Sequence, residues 1–82
     1  MNVDIYGFNE RDNSFYVSNK GEHVGVMEFM PVEERKLFHK NKLIIETRGD
    51  LQLIDPIKCN VKYRNLTSSK KLRIPSFNQW IQ

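Results

Sequence analysis

Over eight successive residues, Ile57-Lys58-Cys59-Asn60-Val61-Lys62-Tyr63-Arg64, apolar and polar side chains alternate without an error. Successive side chains of an extended strand point to opposite faces, so this period of two belongs to a strand and not to a helix. The pattern puts Ile57, Cys59, Val61 and Tyr63 inward, and Lys58, Asn60, Lys62 and Arg64 toward solvent. Lys71-Leu72-Arg73-Ile74 repeats the alternation after a polar turn over 65–70, and Pro75 ends it because proline cannot donate to a ladder. Paired as a hairpin, the two segments project Lys58, Lys62, Arg64, Lys71 and Arg73 from one solvent face, with Lys70 beside them.

The rest of the chain supports a mainly β reading. It contains no alanine, the best helix former, while Ile, Val, Phe, Tyr, Trp and Thr supply 24 of its 82 residues. Strands are expected over Val3–Phe8, Ser14–Ser18, Glu22–Phe29, Lys42–Thr47 and Leu51–Ile54. The connections are a polar turn over 9–13, a three-residue link Asn19-Lys20-Gly21 and a tight turn Arg48-Gly49-Asp50. Gly25 inside its strand marks a bulge or a close backbone approach, and Asp55-Pro56 should break the strand that precedes it. Pro31 opens one short helix over 31–40, acidic in its first turn and basic in its last, anchored by Leu37 and Phe38. Ser76-Phe77-Asn78-Gln79 reads as a capping box that starts a terminal helical turn near 76–81.

The expected fold is a single domain over 1–82. It is a small antiparallel sheet or partly open barrel of about seven short strands. Its core should comprise Val3, Ile5, Phe15, Val17, Val26, Phe29, Leu37, Phe38, Leu43, Ile45, Leu51, Leu53, Cys59, Val61, Leu72 and Ile74.

Charge is the strongest pointer to function. Residues 1–34 hold seven acids against two bases, a net of −5, whereas residues 35–82 hold eleven bases against three acids, a net of +8. No acid follows Pro56. Cations crowded on one ribbon repel one another, and a nucleic-acid backbone removes that cost and releases counterions. The expectation is a non-enzymatic protein that binds RNA or single-stranded nucleic acid. Lys58, Lys62, Arg64, Lys70, Lys71 and Arg73 would hold phosphates, and Trp80 and Tyr63 are candidates for stacking on bases. The plain alternatives are a solvated sheet face for the cations, and core packing for both aromatic rings.

The rival reading is a protein-binding inhibitor. Asn, Lys, Ile, Phe, Tyr and Met total 34 residues while Gly, Ala, Arg and Pro total 12, a bias that AT-rich coding produces in low-GC bacteria and their phages. A phage or mobile-element accessory protein of this size would bind a host nuclease, toxin or other nucleic-acid-processing factor. Glu10, Asp12, Glu22, Glu28, Glu33 and Glu34 would offer such a partner an acidic face, or meet the basic half of a second copy in a homo-oligomer. A third class, a small endoribonuclease, would have to assemble His23, Glu28, His39 and Arg64 around a phosphate, and nothing in their spacing requires that.

Other chemistry finds no motif. One cysteine and two distant histidines match no zinc spacing, no glycine-rich phosphate loop occurs, and neither metal nor cofactor is expected. Cys59 reads as a small buried hydrophobe. The longest apolar run, Leu43-Ile44-Ile45, is far short of the ~20 residues of a membrane helix. With no leader-like N-terminus and no paired cysteine, a cytoplasmic protein is expected, in the host cytoplasm if phage-encoded. Arg48-Gly49-Asp50 and the sequon Asn65-Leu66-Thr67 are turn chemistry on this reading.

Overall fold

The computed structural model describes residues 1–81. It is mainly β, with six strands and one helix. In chain order these are β1 (Asn2–Asn9), β2 (Ser14–Asn19), β3 (Glu22–Met27), α1 (Val32–Asn41), β4 (Ile44–Arg48), β5 (Leu51–Lys62) and β6 (Ser76–Trp80). All ladders are antiparallel, the main path runs β3-β2-β1-β5-β4, and β6 also pairs with β5. The sheet is not closed. An isolated parallel bridge from Phe29 to Ser76, with the Phe77 amide donating to the Phe29 carbonyl at 2.9 Å, curls β6 back toward the end of β3. No helix of the described residues is long and apolar enough to cross a membrane.

Local chemistry explains most of the elements. The β2–β3 connection is a two-residue turn, since Asn19 pairs with Glu22, and Lys20 and Gly21 have φ of 53° and 82°. Two successive positive φ values match the right-handed twist of the flanking strands, so the link is one residue shorter than expected. In α1 the acids Glu33 and Glu34 sit in the first turn and His39 and Lys40 in the last, as the helix dipole favours.

Two bulges set which side chains face the core. In the β1–β2 ladder register shifts between Ile5 and Gly7, so Tyr6 is extra there, and Gly7 and Phe8 reverse phase; against β5 the extra residues lie on β5. In the β2–β3 ladder Val17 pairs with Gly25 and Ser18 with His23, which leaves Val24 extra. An inserted residue moves all that follows to the opposite face. Phe8 and Met27 are consequently buried, while the expected core residue Val26 is exposed. Gly25 packs against Leu72, where a Cβ would stand in ordinary contact at 3.5 Å from the carbonyl oxygen, and its φ of 156° is what favours glycine.

The observed core is Val3, Ile5, Phe8, Phe15, Val17, Met27, Met30, Phe38, Ile54, Cys59, Val61 and Leu72. Phe29, Leu37, Leu43, Ile45 and Ile74 are exposed, and Leu51 and Leu53 are only half-buried. Leu51 and Leu53 fall outward because Gln52 and Ile54 take the inward phase of β5. Ile45 is exposed in β4, a sheet edge with all five residues open to solvent, and Leu43 lies exposed just before that strand.

Three further expectations are overturned. β5 runs unbroken through Pro56 for 12 residues. Pro56 lies where β4 pairing has ended at Ile54 and β6 pairing has not begun at Cys59. On the other edge, Tyr6 alone faces residues 54–56, so the missing N–H breaks no ladder bond. The segment 76–80 is a strand and not a helical turn. β5 offers it a ready edge, pairing Cys59 with Trp80 and Val61 with Phe77, and this outweighs a local cap that nucleates one turn. Residues 71–74 form no strand, and Ile74, with φ of 51°, turns the chain away from the extended region.

Phe38 is 1% exposed against Phe8 and Phe15, while its helix neighbour Leu37 is 45% exposed. Phe38→Ala is expected to cost about 3–5 kcal/mol of unfolding free energy in urea, and Leu37→Ala less than about 1 kcal/mol. Similar costs for the two would contradict this packing.

Candidate nucleic-acid interface

Four of the six predicted phosphate-binding cations, Arg64, Lys70, Lys71 and Arg73, lie on a compact loop that follows β5, and Lys62 is the last residue of that strand, at the root of the loop. Its amides are tied across: Arg64 N–H to the Arg73 carbonyl at 3.0 Å, Arg73 N–H to Asn65 at 2.9 Å, and Thr67 N–H to Lys71 at 2.8 Å. Leu66 and Leu72 form an isolated antiparallel bridge. The expected basic hairpin therefore exists in shortened form, with arms over 64–67 and 71–73, because β6 takes the edge of β5 that residues 71–74 were expected to occupy. Leu72 anchors the loop, being buried and donating its amide to the Val24 carbonyl at 2.6 Å.

Lys62, Arg64, Lys70, Lys71 and Arg73 are all exposed. None has a carboxylate within 4.0 Å; the ion pairs among the described residues are Lys36–Glu33, at 3.8 Å, and Arg48–Glu46. Among the described residues Lys71 is the one of the five whose side chain bonds to the protein, its Nζ donating to the His23 carbonyl at 2.6 Å. Lys58 is also exposed but stands apart, four residues or roughly 13 Å up the strand from Lys62. There it borders a groove of about 210 Å³ lined by Leu37, Phe38, Ile57, Trp80 and Ile81.

The aromatic candidates divide differently. Tyr63, expected inward, is 38% exposed because β5 ends one residue earlier and the alternation loses its ladder. Trp80 is half-buried, its ring 4.7 Å from that of Phe77 and its indole N–H donating to Glu34, so it docks β6 against α1.

The six acids do not form one continuous face. Glu10 and Asp12 lie at one end of β2 and Glu22 at the other, while Glu28, Glu33 and Glu34 belong to the β3–α1 segment. Several serve the fold: Glu10 accepts from Gln52, whose Oε1 accepts from Lys42 Nζ at 2.6 Å. The two histidines belong to separate clusters. His39 leans edge-on against the core ring of Phe8 at 4.7 Å, whereas His23 lies on the outer face of the sheet with Tyr6. Cys59 is fully buried, and burial pushes its thiol up to about 12.

One group escaped the sequence reading. Tyr6, Tyr16 and His23, from three adjacent strands, form a ring cluster on the outer face. Their centroids are 6.2 Å apart for the tyrosine pair and 5.9 Å from each tyrosine to His23. Tyr6 Oη lies 2.6 Å from His23 Nδ1. The signal was present, since Tyr16 alternates with the inward Phe15 and Val17, which leaves it on the solvent side.

The chain matches no protein-family model and no solved structure. It is 44% identical over 79 residues to the SPbeta prophage-derived DNA ligase-like protein LigB of Bacillus subtilis (strain 168). The alignment takes in 95% of this chain and 29% of that protein, so the chain spans less than a third of the length of its relative.

His23 titrates below the ordinary histidine value of 6.5, first because burial disfavours the imidazolium and second because the Lys71 ammonium lies close. A folded value below the unfolded one means that its contribution to stability is complete above about pH 6.5 and is lost as pH falls through the folded value. An NMR titration is expected to place the His23 midpoint below 6.5, and Lys71→Gln to move it upward. A midpoint at or above 6.5 in the unmodified chain would contradict this environment.

Proposed function

We propose that the chain is a non-enzymatic DNA-binding module of a phage-type, ligase-like system, gripping the phosphodiester backbone with the loop over 62–73. The observation that carries this reading is five exposed cations, Lys62 at the end of β5 and four on the hydrogen-bonded loop after it, with no carboxylate within 4.0 Å among the described residues. Such a cluster carries a repulsive cost in isolation and gains free energy by displacing counterions from a polyanion. The curled, open antiparallel sheet supports it, being an architecture that small oligonucleotide-binding barrels use. The name of the relative favours DNA over the RNA that charge alone would equally accept. Any strand-joining chemistry belongs, on this proposal, to the part of such a protein that this chain does not span.

Engagement of all five cations gives a slope of log affinity against log salt between about −3.5 on single strands and −4.5 on duplex. Lys62→Glu and Lys70→Glu should weaken binding to every DNA sequence alike and flatten that slope by about one or more each, since phosphate contacts carry no sequence information. Affinity that does not change between low and moderate salt would overturn the proposal. Joining of nicked DNA, or cleavage of labelled DNA, by the chain alone would overturn its non-enzymatic part.

A further inference from the structure

The cation loop does not stand alone: it is stitched to the edge of the Tyr6–Tyr16–His23 cluster. Lys71 Nζ donates to the His23 carbonyl and the Leu72 amide to the adjacent Val24 carbonyl, both at 2.6 Å. We infer that this ring cluster is a stacking site for an unpaired nucleobase of the strand whose phosphates the loop holds. The inference rests on the nucleic-acid reading above and deepens it by naming the form of DNA recognised.

Three features of the cluster support stacking over simple packing. The rings lie on the face away from the core, opposite the fully buried Ile5, Phe15 and Val17. Their interplanar angles are 68°, 90° and 66°. An edge-to-face contact uses one face of one ring, so three contacts occupy at most three of the six ring faces. Tyr6 and Tyr16 are half-buried and His23 is exposed, so part of this ring surface is open to solvent and to a base. Two of the sheet's irregularities fall here as well, the others lying at Ile44–Glu46, at Asn60–Val61 and in β5 opposite Tyr6: Tyr6 is the extra residue of β1 against β2, and the extra Val24 of β3 adjoins His23. Bulges re-aim side chains and are concentrated next to functional sites.

Beside the rings the outer face holds Gly7, itself buried next to Tyr16 and Leu51, and the exposed Val26. Gly7 contributes no side chain there, and a Cβ at that position would sit 3.5 Å from both Tyr16 Cβ and Leu51 Cδ1. Val26, opposite Tyr16, is 38% exposed. A planar base laid across this strip would cover apolar surface while its own phosphates reach toward Lys71, Arg73 and Arg64. A duplex keeps its bases paired and stacked, so it presents phosphates to the loop and nothing to the rings.

The test uses the full 82-residue chain with a 2-aminopurine-labelled single-stranded 12-mer and the corresponding blunt duplex. The single strand is expected to bind more tightly and its 2-aminopurine fluorescence to change on binding. Tyr6→Leu and Tyr16→Leu should each weaken single-strand binding about 5- to 150-fold, leave duplex affinity unchanged and keep the salt slope of the parent. Tyr6→Phe and Tyr16→Phe retain a ring and should retain binding, which separates stacking from loss of fold. No loss in the leucine variants, or equal loss on both forms of DNA, would overturn the stacking site while leaving the cationic grip intact. Failure of the parent chain to bind either DNA would overturn both readings together.

Discussion

The fold depends on one strand passing through a proline. β5 is 12 residues long and pairs with β1 along one edge and with β4, then β6, along the other. It can do so only because Pro56 coincides with the exchange of partners on one edge and with the register shift opposite Tyr6 on the other. If the strand stopped at Asp55, the β4–β5 hairpin would be detached from the segment that holds Cys59 and Val61 in the core. β6 would have no edge to join, and the loop over 62–73 would have no fixed root. Opposite the proline, β1 also changes phase after Tyr6, which stays outward while Phe8 turns inward, so the irregularity at this point serves both the core and the outer face.

Charge is distributed with the same economy. The acids of the N-terminal half include residues engaged within the protein, such as Glu10 with Gln52 and Glu34 with Trp80, and the remainder are spread over β1, the β1–β2 turn, the start of β3, the β3–α1 link and α1. The cations after Pro56 are left without carboxylates, and the one that bonds to the protein, Lys71, binds a neutral backbone carbonyl. That bond places an ammonium beside His23, contributing to its lowered pKa, and it ties the basic loop to the aromatic rings. Electrostatics and aromatic surface thus meet at a single line, the edge of β3.

Much of this was legible from residue order alone. Alternation located β1, β2 and the second half of β5, and the proline and charge pattern located α1, because these depend on the local period and dipole. Residues placed by bulges were not legible: Phe8, Met27 and Val26 change sides through one inserted residue, a property of the paired strands and not of either alone. The error at 76–80 has a related cause. Ser76 to Gln79 satisfies a local cap, yet the open edge at Cys59 and Val61 supplies more hydrogen bonds than one turn could. The basic segment was read correctly in composition and incorrectly in register, since β6 took its strand partner. Tyr6 and Tyr16 stand far from the cations along the chain, and it is the pairing of β1, β2 and β3 that brings them together with His23 beside the loop.

The central claim is that the loop over 62–73 and the adjoining outer face of the sheet together receive DNA. The most direct measurement is a map of backbone amide chemical-shift changes as a single-stranded oligonucleotide is added at low salt. The account expects the changes to concentrate on residues 62–73 and around Tyr6, Tyr16 and His23, with α1 and β4 unaffected. Changes centred on α1 and β4, or absent at saturating oligonucleotide, would contradict it.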